Sequence, residues 1–111
     1  MVHLRFPGWT GAPGLEFHAP TGGEVSQGEW DDFLRTVVTP RFPDGLTVWP
    51  ASGQWRGADG HVVREDSRVL QLLHAADATS DAAIRDIVSN YRRRFDQEAV
   101  LRVRSRACVS P

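Results

Sequence analysis

Glu65 and His18 are the residues of this chain best suited to proton transfer, since carboxyl and imidazole groups are the usual general acids and bases of enzymes. Glu65 shares the odd-numbered parity of a predicted strand with Val63, Ser67 and Val69, and we expect that parity to face the core. A carboxylate in a core is either paired with a cation or kept protonated. In the second state it can act as a catalytic acid or base, so Glu65 is the first candidate for a functional residue.

A structural role for Glu65 stays open beside the catalytic one. A buried salt bridge from Glu65 to Arg41 or Arg56 would fix the loop between the first helix and the second strand. A bulge in the long strand would turn Glu65 to the other face of the sheet and remove both interpretations.

The chain carries no recognisable metal or cofactor motif. Its four histidines have no ligand-like spacing with one another or with Cys108, the single cysteine. The sequence contains neither a glycine-rich phosphate loop nor a Ser/His/Asp order typical of hydrolases. We therefore expect neither a metal nor a cofactor.

The composition is that of an ordinary globular domain. The 111 residues are 41% hydrophobic and 24% charged, and 13 basic against 14 acidic residues give a net charge of -1. This balance provides no general attraction to nucleic acid or to an anionic membrane. No apolar run approaches the roughly 20 residues of a membrane-spanning helix, and the first residues lack a secretory pattern. These features predict a cytoplasmic protein without nucleic-acid or membrane partners.

Six regular elements are predicted to position the candidate residues. Residues 1–13, rich in Gly and Pro, are expected to form a flexible arm, and residues 14–111 a single domain. Ser26 and Glu29 have the spacing of a capping box and predict a helix that Pro40 ends. The predicted elements are a strand at 15–19, this helix, strands at 46–49 and 61–74, a helix capped by Thr79 or Ser80, and a strand at about 99–107.

This order of strands and helices is typical of the ferredoxin-like βαββαβ arrangement in the α+β class. In it, a four-stranded antiparallel sheet carries two helices on one face, and the first strand lies between the third and the last. The other face of the sheet, here called the open face, is then free to make contacts.

Alternation along the strands predicts which side chains lie on the open face. In the last strand, Arg102, Arg104 and Arg106 alternate with Leu101 and Val103, so the arginines are expected there. The same argument assigns to the open face Glu16, His18, Thr47, Trp49, Arg64, Asp66, Arg68, Leu70 and Leu72. Three interpretations stay open: a solvated face with ion pairs, a homodimer formed by sheet-to-sheet packing, and a site for an anionic ligand.

Several runs of the chain match the pattern of a known family. They are Thr39-Pro40-Arg41-Phe42-Pro43-Asp44-Gly45-Leu46-Thr47-Val48, Gly53-Gln54-Trp55-Arg56, Arg64-Glu65 with Ser67, and Tyr91, Phe95, Gln97, Val100 and Leu101. Through them, residues 14 to 109 resemble the domain-of-unknown-function 3574 family of bacterial proteins, which has no assigned activity. The resemblance implies a small α+β domain. It marks as candidate site residues Arg41, Gln54, Trp55, Arg56, Arg64, Glu65, Tyr91 and Gln97.

Many members of that family look like secreted lipoproteins with a signal and an acylated cysteine. This chain shows neither pattern. By resemblance, it is expected to be a stand-alone cytoplasmic member of the kind that can occur in a specialised-metabolite gene cluster.

The leading functional hypothesis is a cofactor-independent enzyme of specialised metabolism, of the isomerase, cyclase or oxygenase type, acting on a small aromatic or polyketide-like metabolite. Glu65 or His18 would be the general acid or base, and Arg41, Arg56 or Arg64 would hold an enolate or carboxylate. The expected substrate-binding residues are Arg64, Trp55, Gln54, Trp49, Tyr91 and Gln97.

The alternative is a non-catalytic module, either a homodimer or a partner-binding domain, that uses the open sheet face. Under this hypothesis, charge reversal at Arg102 and Arg104 is expected to weaken assembly and leave the fold intact.

Overall fold

The computed structural model describes residues 1–9 and 24–110, without the side chains of residues 8, 9 and 55. The elements are strand β1 at Val2–Trp9, helix α1 at Gln27–Phe33 with a π-helical turn at Leu34–Val38, strands β2 at Thr47–Arg56 and β3 at Val62–Leu72, helix α2 at Ala78–Arg94, and strand β4 at Leu101–Arg104. The four strands form one sheet with antiparallel neighbours. The predicted α+β class is confirmed.

The sheet has the strand order β2-β3-β1-β4. Leu4 of β1 pairs with Leu70 of β3 on one side and with Arg102 of β4 on the other. The first strand therefore lies between the third and the last, as expected. This order makes β2 and β4 the two edge strands of the sheet.

The first strand is formed by a different segment from the predicted one. Val2, Leu4 and Phe6 are fully buried in the core, while His3 and Arg5 point to the other side of the sheet. The prediction that residues 1–13 form a flexible arm is therefore wrong for Val2–Trp9. Pro7 and Gly8, two of the residues that suggested an arm, lie at the far end of β1, where a bulge between Phe6 and Trp9 shifts the register. The predicted strand at 15–19 lies outside the described residues.

Helix α1 begins where the sequence predicts. The Ser26 Oγ accepts a hydrogen bond from the backbone N–H of Glu29 at 3.2 Å, and Glu29 Oε1 accepts one from the Ser26 N–H at 3.1 Å. This reciprocal pair satisfies two N–H groups that the first helical turn leaves without partners. Trp30 and Phe33 follow on the buried face of the helix and pack on Phe6 of β1.

Helix α2 covers the same face of the sheet as α1. Ile84, Ile87 and Tyr91 are fully buried and belong to the same core as Leu4 and Leu70. The helix is capped by Asp77, whose carboxylate accepts the Ser80 N–H at 2.7 Å, and not by Thr79 or Ser80. Within the described part of the chain, neither helix is long and apolar enough to cross a bilayer.

The side chains of β3 and β4 point to the opposite faces of the sheet from those predicted. Leu70 and Leu72 are fully buried beneath the helices, and Arg102 binds Asp81 of α2 at 2.8 Å. Leu101 and Val103 lie on the open face, with exposed fractions of 58% and 50%. The buried side chains of β1 set this register, because Leu4 stands opposite Leu70 and Arg102.

The physical reason for the error differs between the two strands. In β3 both parities contain apolar residues, so alternation alone does not select a face. In β4, an edge strand, the long aliphatic stem of Arg102 can pack on α2 while its charged head binds Asp81. The arginine stripe predicted for the open face is thus on the helix side.

Candidate functional site

The open face brings together side chains from all four strands. Its charged residues are Arg5 of β1 and Glu65 of β3, which both have partly buried side chains. From the strand register, the face also contains His3, Thr47, Trp49, Ala51, Gly53, Val63, Ser67, Val69, Gln71, Leu101 and Val103.

Arg5 is anchored to the neighbouring strand by a buried hydroxyl group. Its Nε donates a hydrogen bond to Ser67 Oγ at 3.1 Å, and Ser67 is fully buried. The Ser67 hydroxyl donates in turn to the carbonyl oxygen of Ala51 in β2 at 3.4 Å. This chain of hydrogen bonds runs from β1 across β3 to β2 and holds the Arg5 side chain against the sheet.

The guanidinium of Arg5 ends above Gly53 of β2. A Cβ atom placed on Gly53 would overlap with the guanidinium. Gly53 is the register partner of Glu65, and side chains at paired positions lie about 4.5 to 5.5 Å apart at Cβ. The charged head of Arg5 therefore lies beside the strand pair that carries Glu65. Among the described residues, neither Arg5 nor Glu65 forms an ion pair.

The large apolar side chains that stand exposed on the open face in its strands form two margins, one on each edge strand. Trp49 of β2 is 38% exposed, and its ring meets the His3 ring edge-on with centroids 5.8 Å apart. Leu101 and Val103 lie on the opposite edge strand, β4. In the strand register, Trp49 and Leu101 lie level with Val69, whereas Glu65 and the guanidinium of Arg5 lie four residues away along β3.

Three of the candidate site residues inferred from the sequence are brought together by the β2–β3 hairpin. Gln54, Arg64 and Glu65 line a cavity of about 330 Å³ together with Ser52, Gly53 and Asp66. Gln54 and Arg64 are exposed register partners, and Ser52 Oγ lies 3.3 Å from Asp66 Oδ1. The Trp55 backbone pairs with Val63 in the same hairpin, and its side chain is not described. His18 lies outside the described residues.

Four other candidates lie away from this cavity. Tyr91 is fully buried and donates from its hydroxyl to the Pro7 carbonyl oxygen at 2.5 Å, and Gln97, only 8% exposed, donates to the Phe95 carbonyl oxygen at 3.2 Å. Arg41 donates to the Val37 carbonyl oxygen at 2.8 Å, at the end of the first helical segment. Arg56 is exposed at the last residue of β2. These three hydrogen bonds of Tyr91, Gln97 and Arg41 are all accepted by backbone carbonyl oxygens of the protein itself.

The predicted core orientation of Glu65 is wrong, because odd-numbered residues of β3 face away from the helices. The bridges considered for it, to Arg41 or Arg56, are absent from the described chain. Arg5 was not predicted as a site residue, because residues 1–13 were expected to form a flexible arm. The alternation of Val2, Leu4 and Phe6 with His3 and Arg5 was the signal that could have found it.

Two ion pairs on the helix side hold the elements that support the sheet. Asp32 of α1 binds Arg94 of α2 at 2.6 Å, and Asp81 of α2 binds Arg102 of β4 at 2.8 Å. The hydrogen bond from Arg94, aided by Arg35, holds the pKa of Asp32 below its usual value. The hydrogen bond from Arg102 similarly lowers the pKa of Asp81.

Comparison with protein families gives one match. The family described as "Protein of unknown function (DUF3574)" matches residues 15–110. This chain belongs to that family. The match confirms the resemblance seen in the sequence, and it includes Gly53, Glu65 and Ser67 but begins after β1 and Arg5. No curated protein and no solved structure matches this member of the family.

Proposed function

We propose that this protein is a homodimeric binding module in which the open face packs against the same face of a second copy. The observation that carries the proposal is that Arg5 and Glu65 share this face while neither forms an ion pair within the described chain. In a twofold interface, a residue that contacts a second residue is contacted by it in return. A twofold packing that brings Arg5 of one copy to Glu65 of the other also brings Glu65 of the first to Arg5 of the second, which makes the surface complementary to itself.

The apolar margins support the same arrangement. Trp49 lies on edge strand β2, and Leu101 and Val103 lie on edge strand β4. A twofold axis that lies between the two sheets and runs parallel to the strands places β2 of one copy over β4 of the other. Trp49 then packs on the two aliphatic side chains across the interface. Aromatic residues are enriched at protein interfaces, where they bury a large area with little loss of conformational freedom.

The dimensions of the face set the size of the proposed interface. Strands about 4.8 Å apart with a rise of about 3.3 Å per residue give a four-stranded face of roughly 500 Å² in projection. The accessible area of the side chains standing on it is larger than this projection. A standard interface buries about 800 Å² on each partner, so the dimer has to use the whole face together with the side chains that stand on it.

The enzymatic hypothesis has less support. Its acid, Glu65, lines a cavity of about 330 Å³ with Gln54 and Arg64, which is near the lower limit of common ligand sites, and Gln54 and Arg64 are both exposed. Arg41 and Arg56, expected to hold an anionic intermediate, lie outside this cavity. A small-metabolite substrate and a cytoplasmic location stay predictions from the sequence.

Sedimentation velocity over a hundredfold range of protein concentration tests the homodimer. The wild-type chain is expected to shift from monomer to dimer as its concentration rises. Trp49→Asp places a charge in the apolar margin and is expected to keep the chain monomeric. Val62→Asp is the matched control, because Val62 is 56% exposed on the opposite parity of the sheet, and this variant should dimerise like the wild type.

Two results would overturn the proposal. One is a wild-type chain that stays monomeric at every concentration. The other is equal loss of the dimer in Trp49→Asp and Val62→Asp, with circular dichroism showing that both variants are folded.

A further inference from the structure

A groove lies on the helix side of the sheet, where the start of α2 meets the end of β4 and the C-terminal tail. Its volume is about 940 Å³. The charged and titratable residues that line it include Arg102, Arg104, Arg106, His74, Asp77 and Asp81. The three arginines share one parity of the strand and tail, so their side chains reach the groove from one wall.

The two acids at the groove are already engaged with other groups. Asp81 binds Arg102 at 2.8 Å and Arg85 at 3.0 Å, and the Asp77 carboxylate accepts the Ser80 N–H. In the part of the chain that the structure describes, the guanidinium groups of Arg104 and Arg106 form neither an ion pair nor a hydrogen bond. The three arginines of this wall outnumber the two acids of the groove, so the wall presents a net positive charge, although the Asp81 carboxylate also attracts Arg104.

Two nitrogen atoms near this charge also lack partners. Arg102 Nε and His74 Nε2 are buried, and neither meets a hydrogen-bond partner among the described residues. Buried polar atoms are nearly always hydrogen-bonded in folded proteins, so unsatisfied atoms of this kind call for a water, an ion or a ligand. Both belong to residues that line the groove.

We propose that this groove binds a small anion with at least two oxyanionic groups, either carboxylate or phosphate. Arg104 and Arg106 are its expected contacts, since a guanidinium group donates paired hydrogen bonds to the oxygens of such groups. On an extended chain, side chains two residues apart point to the same side, and their Cα atoms are about 6.6 Å apart. One ligand with two charged groups can therefore contact both arginines. The site is on the helix side and does not depend on the homodimer.

Isothermal titration calorimetry with citrate and with pyrophosphate, each against sodium chloride of matched ionic strength, tests the proposal. The wild-type chain is expected to bind at least one probe. The double variant Arg104→Ala/Arg106→Ala should lose about tenfold or more in affinity. The control Arg92→Ala/Arg93→Ala removes two exposed arginines at the other end of α2 and should bind like the wild type.

Each outcome of this experiment is decisive. Binding of citrate alone identifies a carboxylate site, binding of pyrophosphate alone a phosphate site, and binding of both a general oxyanion site. The proposal is overturned if neither probe binds. It is also overturned if both double variants lose affinity equally, because the attraction would then come from overall charge.

Discussion

The guanidinium of Arg5 lies directly above Gly53, two strands away in the sheet, and occupies the space that a side chain at position 53 would need. Arg5 belongs to a strand outside the family match, whereas Gly53 belongs to the Gly53-Gln54-Trp55-Arg56 run inside it. The contact connects β1 to β2 across β3 and places a cation beside Glu65 on the open face. The proposed dimer depends on this arrangement.

Gly53→Ala is expected to displace the Arg5 side chain while leaving the fold intact, because only the flexible end of that side chain has to move. Displacement breaks the bond from Arg5 Nε to Ser67 Oγ and should lower the free energy of unfolding by about 1 kcal/mol. Urea denaturation measures the change. Gly28→Ala is the control, because position 28 of α1 has open space around it and alanine favours a helix. Alanine is also intrinsically more favourable than glycine in a strand, so the substitution is repeated in an Arg5→Ala background, where no guanidinium has to move. An equal effect of Gly53→Ala in both backgrounds would contradict the observed position of Arg5.

Leu4→Ala tests the place of β1 in the core. Leu4 is fully buried between β3 and β4, so removal of its side chain should lower the free energy of unfolding by about 3 kcal/mol. Val62→Ala, at an exposed position, should change it little. A Leu4→Ala protein as stable as the wild type in urea would restore the expectation that the first residues form a loose arm.

Stability is expected to fall in acid because of the ion pairs on the helix side. The pKa values of Asp32 and Asp81 are lower in the folded chain than their ordinary values, chiefly through hydrogen bonds from Arg94 and Arg102. A carboxyl group of this kind contributes stability above its unfolded pKa, near 4, and loses that contribution as the pH falls through its folded pKa. The free energy of unfolding should therefore decrease below about pH 4.

Denaturation of Asp81→Asn across this pH range checks the assignment. The variant should be less stable than the wild type at neutral pH, and the difference should shrink in acid. Asp44→Asn is a suitable control, since Asp44 is exposed and makes no contact of this kind among the described residues. A constant difference between Asp81→Asn and the wild type at every pH would rule out the pair with Arg102 as the cause.

Local signals in the sequence predicted much of the fold. The capping box at Ser26 and Glu29 identified the start of α1 because its hydrogen bonds join residues only three positions apart. The long strand predicted at 61–74 was found at Val62–Leu72 for a similar reason, as turn residues precede it. Both predictions depended on interactions within one short segment.

The open face could not be predicted in the same way. The contact between Arg5 and Ser67 joins residues 62 positions apart, and it exists only when β1 pairs with β3 in the observed register. The alternation of Arg102 and Arg104 with Leu101 and Val103 fits either facing of β4, and packing against α2 selects one. Residues that meet through strand register need the structure, whereas residues that meet within a turn or helix do not.

The proposed dimer is tested most directly by mixing two charge-reversed chains. Arg5→Glu leaves two acids at the paired positions, and Glu65→Arg leaves two cations. Each variant alone should therefore be monomeric by sedimentation velocity. The control Arg92→Glu, which changes a residue of α2, should dimerise like the wild type. The mixture is expected to form a one-to-one heterodimer. In it, the new acid at position 5 of one chain meets the new cation at position 65 of the other, and the unchanged Glu65 and Arg5 meet as before. A role of these residues within a single chain cannot produce this result. If both variants are folded and their mixture stays monomeric, the open face is not the dimer interface.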